Sequence, residues 1–236
     1  TYKAAHTVYY GSISSCTKCT AGTYSLYGQG SCTPCYAGTY NNYSGATGCT
    51  PCAAGSFNNN QQATTCTICP AGQYNTTTGN TSCAACPAGK YCTGGTNTTN
   101  CPANTYRSST GGKSSSDCTS CGTGKHSTAG STSCTANTYT VVYNANGGSG
   151  SMSNTTFTYG TAQALRSNAF TRSGYSFNGW NTKADGTGTS YGNAASVNNL
   201  TSTNNGTVNL YAQWQSSGSL PSFKYTGKYE LVENND

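Results

Sequence analysis

The stretch Cys69-Pro-Ala-Gly-Gln-Tyr74-Asn-Thr-Thr-Thr-Gly79-Asn-Thr-Ser-Cys83-Ala-Ala-Cys86 is one copy of a phrase that recurs, with variations, along the first 134 residues. Cysteine pairs of the form C-x-x-C advance by 16 or 17 residues per copy up to Cys83. A fixed period of this kind is typical of an array of small repeats, each too small to bury a hydrophobic core alone. We therefore expect a cysteine-rich repeat array over residues 16–135.

The composition supports covalent cross-linking in place of a large core. Charged residues make up 7% of the chain, compared with about 25% in a typical soluble protein. Leu, Ile, Val and Phe are scarce, which by itself is typical of disorder. However, the chain has 15 Cys and 19 Tyr, many at regular spacing. Small secreted domains replace a missing core by disulfides, so we expect an extracellular or cell-surface location.

The C-x-x-C pairs also raise the alternatives of zinc binding and thiol redox chemistry. Against zinc, the pairs do not group into fours, and His6 and His126 are the only histidines. Against redox chemistry, no single pair stands out in an electropositive setting at the start of a helix. The sequence therefore predicts structural disulfides, with no metal, no cofactor and no catalytic residue.

The spacing also predicts most of the pairing. Neighbouring cysteines of a C-x-x-C pair rarely bond to each other in such arrays, so the second cysteine of one pair should bond to the first of the next. Each such bond closes a loop of about 14 residues and stabilises the fold by roughly 3 kcal/mol. The predicted bonds are Cys19–Cys32, Cys35–Cys49, Cys52–Cys66, Cys69–Cys83 and Cys121–Cys134.

The fifth repeat is irregular and leaves two arrangements open. Its cysteines could form the crossed bonds Cys86–Cys101 and Cys92–Cys118, or the nested bonds Cys86–Cys92 and Cys101–Cys118. Cys16 is then left over. Its partner is expected either upstream of the first residue or in another chain.

After Cys134 the cysteines stop, and residues 138–214 have the pattern of a β-rich module. Alternating apolar and β-branched residues predict four strands, and a short run with Ala and Leu predicts one helix over residues 161–168. This combination predicts a small α+β module with a single core. The predicted strands are Tyr139–Tyr143, Thr155–Tyr159, Tyr175–Trp180 and Val208–Trp214.

The phrase C-P-A-G-x-Y, followed by a Thr/Asn/Gly turn and C-x-x-C, resembles the cysteine-rich repeats of ephrin-receptor and tumour-necrosis-factor-receptor ectodomains. The resemblance implies an elongated ladder of seven repeats with short β-turns and one disulfide in each. It also implies that one aromatic ring per repeat covers the neighbouring disulfide. His126 takes this place in the last repeat, where we expect a surface substitute. The aromatic residues are Tyr24, Tyr40, Phe57, Tyr74, Tyr91 and Tyr106.

The phrases "VVYNANGGSGSM", "FTRSGYSFNGWNTKADGTGTSY" and "VNLYAQW" resemble the internalin-B-type repeat of bacterial surface proteins. This resemblance implies a β-grasp-like fold and an origin on a bacterial cell surface. Trp180 could stack on a ligand, but its place within a strand predicts a core residue. Arg172 and Lys183 are expected to be solvated.

Two segments flank these parts. Residues 1–15 form a weakly alternating, strand-like N-terminal segment, and residues 215–236 combine a Ser/Gly linker with a strand-like segment. The second strand-like segment could be the first strand of a truncated further module. Alternatively, it could pair with another subunit by edge addition.

The composition argues against catalysis, against nucleic-acid binding and against a membrane span. Two His and five acidic residues do not readily supply an active site. The basic residues are spread singly, which disfavours nucleic-acid binding. No apolar run reaches the roughly 18 residues of a membrane span.

The sequence therefore predicts a non-enzymatic, extracellular cell-surface protein of bacterial type. In this interpretation a disulfide-stiffened stalk presents the β-rich module for adhesion to a protein or glycan ligand. The alternative is a self-assembling structural subunit of an extracellular fibre, in which the partners are copies of the chain and the terminal strands pair between subunits.

Overall fold

The computed structural model describes residues 17–218, which divide into two compact parts. We call residues 17–122 and 126–135 the ladder, and residues 123–125 and 136–218 the β-sheet module. Residues 17–218 contain no α-helix; their only helical segment is a 3-10 turn at Ser115–Asp117. Cys16, the N-terminal strand-like segment and the strand-like segment after the C-terminal linker lie outside the described residues.

Seven two-stranded hairpins follow one another, one per repeat; six lie wholly in the ladder, and the seventh includes Lys125 and Ala136, which are grouped with the β-sheet module. We number the repeats 1 to 7 over residues 19–34, 35–51, 52–68, 69–85, 86–100, 101–120 and 121–136. Most strands are two residues long, because the turns and disulfides on either side leave no room for more. In chain order the antiparallel pairs are β1 Thr23–Tyr24 with β2 Thr33–Pro34, β3 Thr39–Tyr40 with β4 Thr50–Pro51, β5 Ser56–Phe57 with β6 Thr67–Ile68, β7 Gln73–Tyr74 with β8 Ala84–Ala85, β9 Lys90–Gly94 with β10 Asn97–Asn100, β11 Thr105–Tyr106 with β12 Thr119–Ser120, and β13 Lys125–His126 with β14 Thr135–Ala136.

Recurring backbone hydrogen bonds connect each repeat to the next. In repeats 1 and 2, the Gly22 N–H donates to the Asn41 carbonyl (2.8 Å) and the Gly22 carbonyl accepts from the Cys35 N–H (2.9 Å). The N–H of Gly45, in the turn of repeat 2, donates to the Cys19 carbonyl (2.8 Å). The same three bonds recur down the ladder, so the backbone polar groups that the short strands leave unpaired are satisfied between repeats.

The glycine of the Ala-Gly phrase is required by a close approach between repeats two places apart. Gly38 has φ +84°, and a Cβ at this position would meet the backbone carbonyl of Gly79 in repeat 4. Gly72 has the same relation to Gly111, and Gly89 to Gly130. A methyl group at these glycines would approach backbone atoms to less than 3 Å. The position therefore excludes every side chain, which explains why this glycine recurs in the sequence.

The strands of the β-sheet module are β15 Thr138–Asn144, β16 Thr155–Thr158, β17 Gln163–Ala164, β18 Tyr175–Asn181, β19 Ser190–Tyr191, β20 Ser196–Val197 and β21 Gly206–Ser216. Five of them form a mixed sheet with the order β16-β15-β21-β18-β19. The first and last strands of the module, β15 and β21, run parallel at its centre, and the other neighbours are antiparallel. The short strands β17 and β20 form a separate antiparallel pair.

One face of the sheet carries the core. Along β15 every second residue is buried, and Tyr139, Val141 and Tyr143 point into one cluster. The predicted face of β21 is confirmed, because Val208, Leu210, Ala212 and Trp214 all belong to this cluster or pack against it. The four predicted strands are confirmed as β15, β16, β18 and β21, with ends that shift by at most two residues.

The predicted helix over residues 161–168 is wrong. This segment contains β17 instead, and Leu165 is its one buried residue, while Ala162 and Ala164 are exposed. A helix this short is marginal in water and needs an apolar face to be held by packing, which one buried leucine does not supply. The module is therefore a β-sheet structure rather than α+β, and a β-grasp fold is not supported.

A first prediction separates two costs of replacing a glycine in the ladder: the strain of a left-handed backbone and the clash with the backbone of another repeat. Gly111 has φ +78° and open space around its Cβ position, whereas Gly38 has a similar φ and no space. We expect Gly111→Ala to lower the free energy of unfolding of the ladder by about 1 kcal/mol, from the left-handed backbone alone. Gly38→Ala should lower it by about 3 kcal/mol, because overpacking adds to the strain. Denaturant unfolding monitored by tyrosine circular dichroism measures both; equal effects would contradict the close approach.

A second prediction concerns reduction. All seven disulfides lie within residues 19–134, whereas the core of the β-sheet module is held by apolar packing without cysteine. Both tryptophans, Trp180 and Trp214, lie in this module. We expect a reductant to abolish the tyrosine signal of the ladder while the near-ultraviolet tryptophan signal persists. Loss of the tryptophan signal on reduction would contradict an independently stable module.

Candidate functional site

Fourteen cysteines form seven disulfides, with Cα atoms 5.5–5.8 Å apart. In the irregular fifth repeat the structure has the nested arrangement, in which Cys86 bonds to Cys92 and Cys101 to Cys118. The crossed bonds Cys86–Cys101 and Cys92–Cys118 therefore do not form in the structure. The other bonds are Cys19–Cys32, Cys35–Cys49, Cys52–Cys66, Cys69–Cys83 and Cys121–Cys134.

The disulfides serve as the core of the ladder. In most bonds one sulfur belongs to a fully buried cysteine, such as Cys35 or Cys52, and its partner Cys49 or Cys66 is half-buried. These bonds therefore take the place that aliphatic side chains hold in a larger domain. Within residues 17–218, no group of three or more His, Cys, Asp or Glu side chains is placed to hold a metal ion.

The aromatic residues that follow the Ala-Gly phrase occupy equivalent places at the first strand of each hairpin. All six are half-buried, from Tyr24 in repeat 1 to Tyr106 in repeat 6, and so is His126 in repeat 7. His126 thus takes the place of the aromatic residue in repeat 7 and is buried to a similar degree. That each ring covers the neighbouring disulfide stays a prediction.

Buried asparagines provide the polar contacts between neighbouring repeats, a role that sequence analysis missed. The side-chain amides of Asn41, Asn58 and Asn75 each donate to a carbonyl in the first strand of the preceding repeat, at 2.9–3.0 Å. In repeat 7 the Ser127 hydroxyl donates to the Thr105 carbonyl (2.7 Å) in the same way. The signal in the sequence was the recurrence of Asn directly after the aromatic residue.

Trp180 is a core residue of the module, as predicted. Its side chain is completely buried, and its ring packs against Tyr143 at 5.0 Å and Phe177 at 4.9 Å between ring centroids. A register shift between Phe177 and Gly179 in the pairing of β18 with β21 allows both Phe177 and Trp180 to reach the core. Trp180 is therefore not available to stack on a ligand.

The surface of the module carries one aromatic feature that the sequence did not indicate. The Arg172 guanidinium lies over the ring of Tyr175, 4.0 Å from its centroid, in a cation–π arrangement. Tyr175 is 40% exposed, more than any other large hydrophobic side chain among the described residues of the module. Arg172 is therefore not simply solvated, because its guanidinium stacks on this exposed ring.

The loop between β18 and β19 folds around a buried amide. Asn181 is completely buried, and its Nδ2 donates to the Gly186 carbonyl, the Gly188 carbonyl and the Ser190 hydroxyl. Its Oδ1 accepts from the N–H groups of Lys183 and Gly188. This network fixes the Lys-Ala-Asp-Gly-Thr-Gly loop without any charged group in its interior.

Two carboxylates stabilise exposed turns. Hydrogen bonds from the backbone N–H and the hydroxyl of Thr187 lower the pKa of Asp185 below its usual range. Backbone N–H groups of Lys113 and Ser114 lower the pKa of Asp117 in the same way. The hydrogen bonds of each turn thus stabilise the ionised carboxylate. Neither residue has the raised pKa that a general acid needs.

Comparison with known families agrees with this geometry. Residues 139–213 match the model of the Listeria-Bacteroides repeat domain. Residues 22–64 and 55–99 match the model described as tyrosine-protein kinase ephrin type A/B receptor-like. No curated protein matches the chain. The chain is therefore similar to ephrin-receptor-like cysteine-rich repeats in the ladder and to the Listeria-Bacteroides repeat in the module, which confirms these two resemblances.

These two repeat types, together with the seven disulfides, suggest an extracellular or cell-surface location. No helix within residues 17–218 is long and apolar enough to cross a membrane. The narrower assignment of the module to the internalin-B type stays a prediction.

A third prediction tests the buried amide of the module. Asn181→Ala removes the donor and acceptor contacts of a completely buried amide and leaves the N–H groups of Lys183 and Gly188 without this acceptor, so we expect a loss of about 2–4 kcal/mol in the free energy of unfolding. Asn178→Ala, at an exposed position of the same strand, is the matched control and should be nearly neutral. Tryptophan fluorescence during urea unfolding measures both. Similar effects would exclude a structural role for the network.

Proposed function

We propose that this protein is a non-enzymatic cell-surface protein of bacterial type, in which the ladder is a stiff spacer and the β-sheet module makes an adhesive contact. The observation that carries the proposal is the combination of seven disulfides and two extracellular repeat types in one chain. The ligand is a protein or glycan on another surface. The proposal has no role for a metal, a cofactor or a nucleic acid.

The chemistry of the described side chains supports a binding role rather than catalysis. The two carboxylates with a shifted pKa lie in exposed turns, and each has its hydrogen bonds satisfied by its own loop. An active site needs acid, base or nucleophile groups that converge on one pocket. Asp117 and Asp185 lie in different parts of the chain, the ladder and the module respectively.

The Arg172–Tyr175 pair is the candidate ligand contact. An aromatic ring with an attached guanidinium offers an apolar face and hydrogen-bond donors together, which suits both sugar rings and protein side chains. The ring is held by β18 of the central sheet, so little conformational entropy is lost when a ligand binds.

A fourth prediction tests location and binding together. On intact cells that produce the protein, an antibody to the ladder should label the surface, and external protease should remove the label. Beads that carry the oxidised full chain should bind selected members of a panel of extracellular matrix proteins and glycans. Arg172→Ala with Tyr175→Ala should weaken this binding by roughly tenfold or more.

The matched control for this test is Lys113→Ala, which removes an exposed positive charge from the ladder and should leave binding unchanged. Absence of the protein from the surface would contradict the proposal. Equal binding by the Arg172/Tyr175 variant would contradict the assigned contact.

The second candidate function is a self-assembling structural subunit of an extracellular fibre. The very low charge of the chain favours it, because little electrostatic repulsion opposes association of copies. The pairing of terminal strands that was predicted for such a fibre concerns residues outside the described range.

A further inference from the structure

Arg172 is the one arginine of the chain whose guanidinium has no hydrogen-bond acceptor among residues 17–218. The other two arginines serve as structural donors. Arg107 donates to two backbone carbonyls, and the Nε of Arg166 donates to the Thr155 hydroxyl (2.9 Å). Arg172 is half-buried, but its unpaired N–H groups are not buried, so they are accessible to a ligand.

The guanidinium of Arg172 is nevertheless fixed in place. It lies over the Tyr175 ring, 4.0 Å from the ring centroid, and beside the backbone of Gly147, where a Cβ would be 3.5 Å from its Cζ. The main chain is held as well, because the Tyr175 N–H donates to the Arg172 carbonyl (3.1 Å). Thr171 exchanges two backbone hydrogen bonds with Ser149 (2.7 and 3.0 Å). A ligand that binds here therefore costs little side-chain entropy.

No negative charge among the described residues balances Arg172. The two carboxylates within residues 17–218, Asp117 and Asp185, accept hydrogen bonds from their own turns. A planar guanidinium with accessible N–H groups matches the two oxygens of a carboxylate and binds them through paired hydrogen bonds. One guanidinium balances the single charge of a carboxylate, but not the roughly two charges of a phosphate monoester.

We propose that Arg172, held against Tyr175, is a carboxylate-binding site, and that its ligand is an acidic sugar of a surface glycan. The proposal rests on the adhesive contact proposed above and names the chemistry of its ligand. A sugar with a carboxylate supplies the anion for Arg172 and C–H groups that pack on the exposed part of the Tyr175 ring. The neighbouring Ser173, Gly174 and Ser176 are small and exposed, which suits a sugar better than a protein partner that needs an apolar core.

The chain itself is a second source of the same chemical group. The described range ends next to the Arg172–Tyr175 pair, since the Ser217 N–H donates to the Gly174 carbonyl (3.0 Å). Residues 219–236 then carry three acidic side chains and are long enough to return to the pair. The test must therefore separate a glycan carboxylate from these three. They are Glu230, Glu233 and Asp236.

The test is a titration of the oxidised full chain with trigalacturonate at neutral pH, followed by the NMR signals of the arginine Nε–H groups. Fully methyl-esterified trigalacturonate has the same sugar rings without the charge and is the control ligand. We expect a saturable shift of the Arg172 signal, unchanged signals of Arg107 and Arg166, and an affinity for the ester that is lower by roughly tenfold or more. High salt should weaken binding, because it screens the attraction between guanidinium and carboxylate.

Substitutions test which property of Arg172 matters. Arg172→Gln should lower the affinity for trigalacturonate by roughly tenfold or more. Arg172→Lys should recover only part of it, because an ammonium lacks the planar pair of donors. The matched control is Arg166→Gln, which removes the same charge from an exposed position of the module and should bind like the wild type. The backbone amide of Tyr175 reports binding in all variants, and the near-ultraviolet tryptophan signal verifies that the module stays folded.

A chain with Glu230→Gln, Glu233→Gln and Asp236→Asn separates the two sources. Unchanged affinity, with an unchanged Arg172 signal before ligand is added, would assign the carboxylate to the glycan. A shifted Arg172 signal with roughly tenfold tighter binding of trigalacturonate would support the carboxylate site and show that the chain's own acidic residues occupy it at rest.

Three results would overturn the carboxylate site. They are no shift of the Arg172 signal in either chain, equal affinity for the methyl ester, and equal affinity of Arg172→Gln. If the Arg172/Tyr175 double variant still lost its binding to the bead panel, the adhesive contact would stand with an uncharged ligand. If bead binding were also unchanged, both proposals would fail.

Discussion

The ladder depends on a backbone contact that leaves no space for a side chain. The glycine of the Ala-Gly phrase lies against the turn of the repeat two places along, and its N–H and carbonyl both bond to the repeat that follows. Repeat 6 has Asn104 at this position, with φ +63°, and the chain has no repeat two places further to approach it. Asparagine tolerates this backbone conformation, so the exception fits the same rule.

The two parts of the chain solve the same stability problem differently. The ladder has few aliphatic residues and uses disulfides, inter-repeat backbone bonds and buried asparagine amides such as that of Asn75. The β-sheet module uses an apolar cluster around Trp180 and satisfies the completely buried side-chain amide of Asn181. Neither part needs buried charge, which is consistent with a charged fraction of 7%. A chain built in this way leaves its outer loops free to vary, and the contact proposed for Tyr175 uses an exposed aromatic side chain.

Sequence patterns predicted what repeats and alternates, and failed where the outcome depends on contacts between distant residues. The cysteine period indicated the ladder, and strict alternation in Val208–Trp214 indicated β21 and its buried face. The helix predicted over residues 161–168 failed because the pattern did not reveal that Leu165 alone would be buried. The choice between nested and crossed bonds at Cys92 required the path of β9 and β10, which spacing does not fix. The stacking of Arg172 on Tyr175 depends on side-chain placement in three dimensions and leaves no periodic signal.

Native-state hydrogen exchange of the oxidised full chain, resolved to single amides, tests the account of the ladder most directly. The account predicts strong protection at the amides of Gly22, Gly38, Gly55, Gly72 and Gly89, because each donates to the repeat that follows. Exposed loop amides such as those of Asn59 and Thr76 should exchange close to the rate of an unstructured chain. Fast exchange at the five glycines, with the disulfides intact, would contradict the claim that backbone bonds between repeats hold the ladder together.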